Sequence, residues 1–207
     1  MDKKYINIAV LVSGGGTNLQ ALINAQNKGV IKSGKIRLVI SNNKNAYALQ
    51  RAQKAGISSC VITKKDCGSA QKMEENIIKK LEEDQIDLIV LAGFMSILSE
   101  SFTKKYDHRI INVHPSLIPS FCGEGYYGLR VHEAALKKGV KVTGATTHFV
   151  NEIPDGGEII MQKAVNIKED DTPETLQKRV MRLAEWQILP KSVEKTAVEM
   201  LNKLEEN

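Results

Sequence analysis

Apolar residues along the chain come in short runs separated by glycine and polar turns. Ile6-Asn7-Ile8-Ala9-Val10-Leu11-Val12 is nearly continuous in apolar character, which predicts a strand buried on both faces. After Thr17 the pattern changes: Leu19, Leu22 and Ile23 recur at helical spacing. Ile36 to Ile40 predicts a second strand, and Ala46 to Ala55 a helix stopped by Gly56. A third strand follows at Ser59 to Ile62, and Met73, Ile77, Ile78 and Leu81 mark a third helix. Asp87 to Leu91 and Ile110 to Val113 read as a fourth and a fifth strand. This alternation implies parallel pairing through right-handed crossovers. Val140 to Val150 and Glu158 to Val165 then form two strand-like stretches joined by Pro154-Asp155-Gly156-Gly157. Thr172-Pro173 supplies an N-cap and a first helical residue for a C-terminal helical segment, expected to be interrupted at Pro190. The pattern predicts one doubly wound, mostly parallel α/β domain over residues 1–207, with C-terminal strands and a helical segment.

Composition narrows this picture a little. At 207 residues, with 42% hydrophobic and 26% charged positions, the chain suits one well-packed domain rather than disorder. No apolar run reaches the roughly 18 residues of a membrane span. The start, Met1-Asp2-Lys3-Lys4 before an apolar run, resembles a signal peptide. That run contains Asn7, however, and ends in Ser13-Gly14-Gly15-Gly16 without a small-x-small cleavage site. Cys60, Cys67 and Cys122 are odd in number and widely spaced, which suits a reducing cytoplasm and gives no zinc or disulfide signature. The net charge of +5 comes from scattered lysines, and aromatics make up 5%. That argues for a solvated surface and an anionic small-molecule substrate rather than nucleic acid.

Ligands of open α/β sheets bind beyond the carboxyl ends of the strands, and three such loops carry chemistry. Ser13-Gly14-Gly15-Gly16-Thr17-Asn18 links the first strand to the first helix. Its glycines and the helix N-terminus suit a phosphate monoester. Leu19 stands where a dinucleotide loop has its third glycine, and the lysine of a triphosphate loop is missing. A tight turn without a ligand fits the same residues. If the loop holds phosphate, a bulky side chain at Gly16 should weaken that ligand selectively. In Asn112-Val113-His114 two polar side chains share one face of a strand end, as acyl transfer needs: an amide and an imidazole to hold an oxyanion and move a proton. Taken singly, His114 also fits a residue that ends a strand. Asp155 sits in a turn, where aspartate is common for structural reasons. Placed beside His114, it would raise the imidazole pKa. His108 and His132 lack a polar cluster and read as structural. No His/Cys/Asp/Glu group has metal-ligand spacing.

Taken together, SGGGTNLQ (Ser13 to Gln20), Ser41-Asn42-Asn43, Ala92-Gly93-Phe94-Met95, INVHPSLIP (Ile111 to Pro119), TGATTHFV (Thr143 to Val150), Asp155-Gly156-Gly157 and Glu185 to Pro190 resemble the phosphoribosylglycinamide formyltransferase family, folate-dependent enzymes of purine synthesis. The resemblance spans nearly the whole chain. It implies that Asn112, His114 and Asp155 are catalytic. It also implies that Gly15, Gly16, Thr17 and Asn18 hold the phosphorylated substrate, with Glu185 on its ribose. The backbone of Met95, Ser96, Ile97 and Leu98, with Asn112, would meet the pterin of 10-formyltetrahydrofolate. No metal, nucleic acid or membrane is implied, and the expected state is a monomer or homodimer. Two positions depart from the family: Ala70 stands where an arginine often reaches the folate tail, and Trp186 where a histidine commonly follows the acidic residue. The alternatives are a formyltetrahydrofolate hydrolase and a non-catalytic folate- or nucleotide-binding module. The hydrolase would carry an extra N-terminal domain, which the early first strand leaves no room for.

Overall fold

A computed structural model describes residues 5–206; the charged stretch Met1 to Lys4 lies outside the described residues. Seven strands form one sheet in the order β3-β2-β1-β4-β5-β6-β7. β1 (Ile6–Val12) is central, and α1 (Thr17–Asn27) carries the chain to β2 (Gly34–Ser41). α2 (Tyr47–Lys54) then leads to β3 (Ser58–Val61) at one edge. The short α3 (Lys64–Cys67) and α4 (Ala70–Glu83) return the chain to β4 (Leu88–Leu91), on the other side of β1. α5 (Glu100–Lys105) precedes β5 (Ile110–His114), and α6 (Leu129–Lys138) precedes β6 (Val142–Phe149) and β7 (Ile159–Asn166). β1 to β5 pair in parallel, whereas β6 and β7 extend the sheet antiparallel. The sheet is thus mostly parallel with helices on both faces. The strand order reverses between β1 and β4, and a crevice opens there at their carboxyl ends.

The near-continuous apolar character of β1 follows from its double cover. Ile6, Ile8, Val10 and Val12 point into one core with Leu19 and Leu22 of α1 and Ala48 of α2. Ala9 and Leu11 point into the other, against Ile77 and Leu81 of α4 and Phe102 of α5. A period of two along the strand serves both cores. α5 was not foreseen, because its six residues offer few apolar positions to read, whereas α6 covers the helical stretch around His132.

The C-terminal segment departs from expectation. The chain stays helical from α7 (Pro173–Val180) through a π-helical turn (Met181–Glu185) into α8 (Trp186–Glu205), and Pro190 lies inside α8. The irregularity precedes the proline by about a turn instead of falling on it. Pro190 lacks the N–H that would bond the carbonyl of Trp186, so the continuous helix forgoes one backbone bond there without breaking. Thr172 caps α7 in a reciprocal capping box with Thr175, as its place before Pro173 suggested.

Gly16 shows why the first loop is rich in glycine. Its φ is +70°, and a Cβ there would lie 2.6 Å from the Cβ of Ala48. The missing side chain therefore lets α1 and α2 approach. Gly14 and Gly15 would meet nothing within 4 Å. This corrects the expectation of a purely ligand-selective effect at Gly16. Gly16→Val is expected to destabilise the fold by at least about 1 kcal/mol through strain and overpacking, read as a lower urea midpoint, while Gly15→Ala leaves the unfolding free energy within about 0.5 kcal/mol and the midpoint nearly in place. Equal midpoints for the two variants would contradict this account.

Candidate active site

The carboxyl ends of β1, β2 and β4 are knitted together by side chains from the loops. Ser13 Oγ accepts the N–H of Met95 at 2.8 Å, and Asn43 donates to the carbonyl of Ser13 at 3.0 Å. Asn42 donates to Ser96 Oγ at 2.9 Å. The glycine loop and the 93–98 segment therefore face the crevice as a unit. α1 begins at Gly16 with no side-chain cap and no acidic residue in its first turn. Its first N–H groups point outward with the positive end of the helix dipole, an arrangement suited to an anion. Behind them, Asn18 Nδ2 donates to Glu185 Oε2 at 2.8 Å, across 167 positions of sequence. The π-helical turn carries Glu185 to this contact.

Glu185 is buried, and burial pushes its carboxyl up to about 7 although the Asn18 hydrogen bond pulls it down. Asn18 Oδ1 is buried without a partner among the described residues. In the 95–98 segment the four side chains divide. Met95 and Ile97 are 61% and 78% exposed, whereas Leu98 is buried in the core beneath. Two large apolar side chains left in solvent at the crevice suit a flat apolar ligand ring.

At the end of β5 the structure brings Asn112, His114 and Asp155 together. His114 Nε2–H donates to the carbonyl of Phe121 at 2.9 Å, and Nδ1 lies 3.3 Å from Asp155 Oδ2. Asp155 sits at φ +56°, in the left-handed region that aspartate tolerates, and accepts the N–H of Gly123 at 2.9 Å. The loop closes tightly behind it: a Cβ on Gly157 would lie 1.9 Å from the carbonyl oxygen of Phe149. Burial raises the Asp155 carboxyl. A hydrogen bond from His148, the charge of His114 and the Gly123 N–H outweigh that and hold it below the ordinary range, so it is ionised.

For His114 the balance runs against expectation. Burial lowers its pKa, and the Asp155 carboxylate and the Phe121 carbonyl only partly restore it. The ring is therefore neutral at pH 7. Acceptors nevertheless face both nitrogens, so a proton gained during turnover has a partner waiting.

His148 belongs to the same cluster and was missed as a site residue. In the antiparallel register of β6 on β5 it stands directly opposite Asn112. Its Nε2 lies 3.2 Å from Asn112 Nδ2 and 3.4 Å from Asp155 Oδ1, and its Nδ1–H donates to Phe149 O at 2.8 Å. The signal was its place in TGATTHFV, but only the register shows its partner. His108 is exposed beside Asp107 and Glu158. His132 is fully buried, and burial lowers it to about 4, so it stays neutral. Burial and the Asp155 carboxylate push the Cys122 thiol up, which makes it a poor nucleophile. Among the described residues, no group of three His, Cys, Asp or Glu is placed to hold a metal ion, and no helix is long and apolar enough to cross a membrane.

Comparison with known proteins gives the family. The formyl transferase family profile matches residues 6–193. The chain belongs to the formyl transferase family. The phosphoribosylglycinamide formyltransferase of Haemophilus influenzae is 43% identical over 183 residues, 88% of this chain and 83% of that protein. The trifunctional purine biosynthetic protein adenosine-3 of Gallus gallus is 45% identical over 192 residues, 93% of this chain, and this chain spans 18% of that longer protein. Among solved structures, glycinamide ribonucleotide transformylase 1 from Symbiobacterium toebii superposes with a TM-score of 0.88 at 37% identity, covering 95% of this chain and 89% of that one. The doubly wound sheet is thus a formyl transferase fold, and the crevice between β1, β4 and β5 is where this family member gathers its polar residues.

Burial of Glu185 makes stability depend on pH. Its folded value of about 7 lies above the ordinary 4.5, so the native state keeps a proton that the unfolded chain releases. Stability from this group is greatest below pH 4.5, falls as pH rises toward about 7, and levels off beyond, a total loss of roughly 3 kcal/mol. Glu185→Gln is therefore expected to stabilise the protein at pH 8 and to do little at pH 4.5. Urea melts at the two pH values check this, and equal shifts at both would count against a buried, proton-retaining carboxyl.

Proposed function

We propose that this chain transfers the formyl group of 10-formyltetrahydrofolate to the amine of phosphoribosylglycinamide, a step of purine synthesis, in the cytoplasm and without a metal. The observation that carries this reading is the convergence of Asn112, His114 and Asp155 at one strand end beside an uncapped, glycine-led helix N-terminus. In this reading the N–H groups of Gly15, Gly16, Thr17 and Asn18 receive the phosphate, and Glu185 accepts from the ribose hydroxyls. Met95, Ser96, Ile97 and Leu98 border the pterin, whose rings lie against the exposed Met95 and Ile97 side chains.

The substrate amine is its own nucleophile, so the protein needs no covalent intermediate. A C–N bond forms at the formyl carbon, and the carbonyl oxygen becomes an oxyanion. The Asn112 amide and His114 Nε2–H are the donors placed to receive it. In the resting site this Nε2–H is held by the Phe121 carbonyl at 2.9 Å, so it turns to the oxyanion by exchanging that bond. The amine proton leaves to His114 Nδ1, directly or through water, and the resulting imidazolium lies 3.3 Å from the Asp155 carboxylate. His114 then returns a proton to the folate nitrogen as the C–N bond to folate breaks.

His114→Ala and Asn112→Ala are each expected to lower kcat by at least about 100-fold, as loss of an oxyanion donor does, with little change in KM. Because the neutral ring is the working form, kcat/KM should be flat near pH 7 and fall at acid pH, below the ordinary histidine value of 6.5. Asp155→Asn removes an influence that raises His114, so the acid limb should move to lower pH while kcat drops. NMR titration of His114 in both proteins checks the shift. An unchanged pKa with unchanged kcat would leave Asp155 a turn residue. Turnover that continues without the amine substrate would instead indicate a hydrolase.

Metal independence is tested separately. Formyl transfer after dialysis against a chelator should retain its rate. A loss restored by adding one divalent ion would overturn this part of the proposal.

A further inference from the structure

Beside the substrate loop, a second cleft of about 440 Å³ opens between α1, α2 and α8. Its lining includes Gln20, Asn24, Lys28, Arg51, Trp186 and Lys191. Three of these are cations, and no carboxylate lines the cleft. Arg51 is fixed in place: its Nε–H donates to the carbonyl of Gly15 at 2.8 Å and Nη1 to Gln20 Oε1 at 3.0 Å. Lys28 and Lys191 are exposed and form no ion pair among the described residues. Trp186, the single tryptophan of the chain, is left 37% exposed here.

These features are independent of the catalytic cluster. On α1 the cleft side carries Gln20, Asn24 and Lys28, while Asn18 points elsewhere, to Glu185. Thr17 forms the wall common to the cleft and the loop. An indole face beside uncompensated cations recognises a planar ring that bears an anion. The volume lies within the roughly 300–1,000 Å³ of small-molecule pockets. Gln20 and Asn24 offer amide donors and acceptors for the edge of such a ring. Arg51 is already ordered, so it gives up little freedom when an anion arrives.

We propose that this cleft is a second ligand site, which takes a nucleoside monophosphate with its base on Trp186 and its phosphate among Lys28, Lys191 and Arg51. The fluorescence of the single tryptophan reports binding directly and does not depend on the formyl transfer reaction. The full chain is titrated with AMP, adenosine and inorganic phosphate in parallel. AMP should quench the fluorescence saturably with a Kd below about 1 mM. Adenosine and phosphate alone should each bind at least about tenfold more weakly, since each keeps half the contacts. Lys28→Ala/Lys191→Ala, with its fold checked by circular dichroism, should weaken AMP at least about tenfold. Three results would overturn the proposal: no saturation with AMP, phosphate binding as tightly as AMP, or AMP binding that survives the double lysine variant and is lost with Asn18→Ala, which would place the nucleotide in the substrate loop.

Discussion

The carboxylate of Asp155 joins three stretches of chain that approach from different directions. It faces His114 at the end of β5 and His148 in β6, and it accepts the N–H of Gly123 from the loop that precedes α6. A charge this far from water is costly unless several donors meet it. Here the Gly123 N–H donates to it, and imidazoles from two neighbouring strands lie 3.3 and 3.4 Å away. The left-handed conformation of Asp155 and the close approach of Gly157 to Phe149 aim the carboxylate at them. The antiparallel register of β6 on β5 sets the imidazole of His148 opposite the amide of Asn112, 3.2 Å away, so His148 stands between that amide and the carboxylate. The geometry of the cluster is therefore a property of the sheet as much as of its loops.

Burial acts on the two ends of the crevice in opposite senses. It lowers the imidazole of His114 and raises the carboxyl of Glu185 to about 7. Both groups are thereby biased toward their neutral forms near neutrality, one poised to take up a proton and the other to donate a hydrogen bond as well as accept one. The same burial makes Glu185 a cost to the fold, which fits a group retained for its position rather than for stability.

Much of this was legible in the sequence. The continuous apolar run of β1 announced a strand covered on both faces, and the alternation that follows announced a parallel sheet. Asn112 and His114 could be paired from their spacing alone, because side chains two apart on a strand share a face. Other features depend on tertiary geometry. The role of Gly16 rests on its distance to Ala48, 32 positions away, and that of His148 on a strand register set by side-chain packing. The charge state of His114 depends on how deeply it is buried, which outweighs the neighbouring aspartate that the turn motif suggested. The helical continuity through Pro190 was misread because proline usually interrupts a helix, and the burial of Ile188, Leu189 and Val193 around it does not show in a linear string.

The π-helical turn Met181–Glu185 has a consequence for how this segment could change by insertion or deletion. A π turn holds one more residue than the α turn it replaces. Removing one residue from this stretch would let an ordinary α turn close over the same full turn, so the helix downstream would keep its phase. The change would be local: the Glu185 contact with Asn18 would be reset, while the buried stripe of Ile188, Leu189, Val193 and Ala197 would stay on the sheet. The extra residue is thus absorbed where it stands: it shapes the turn that presents Glu185 to Asn18, while the helix beyond keeps its hydrophobic face on the core.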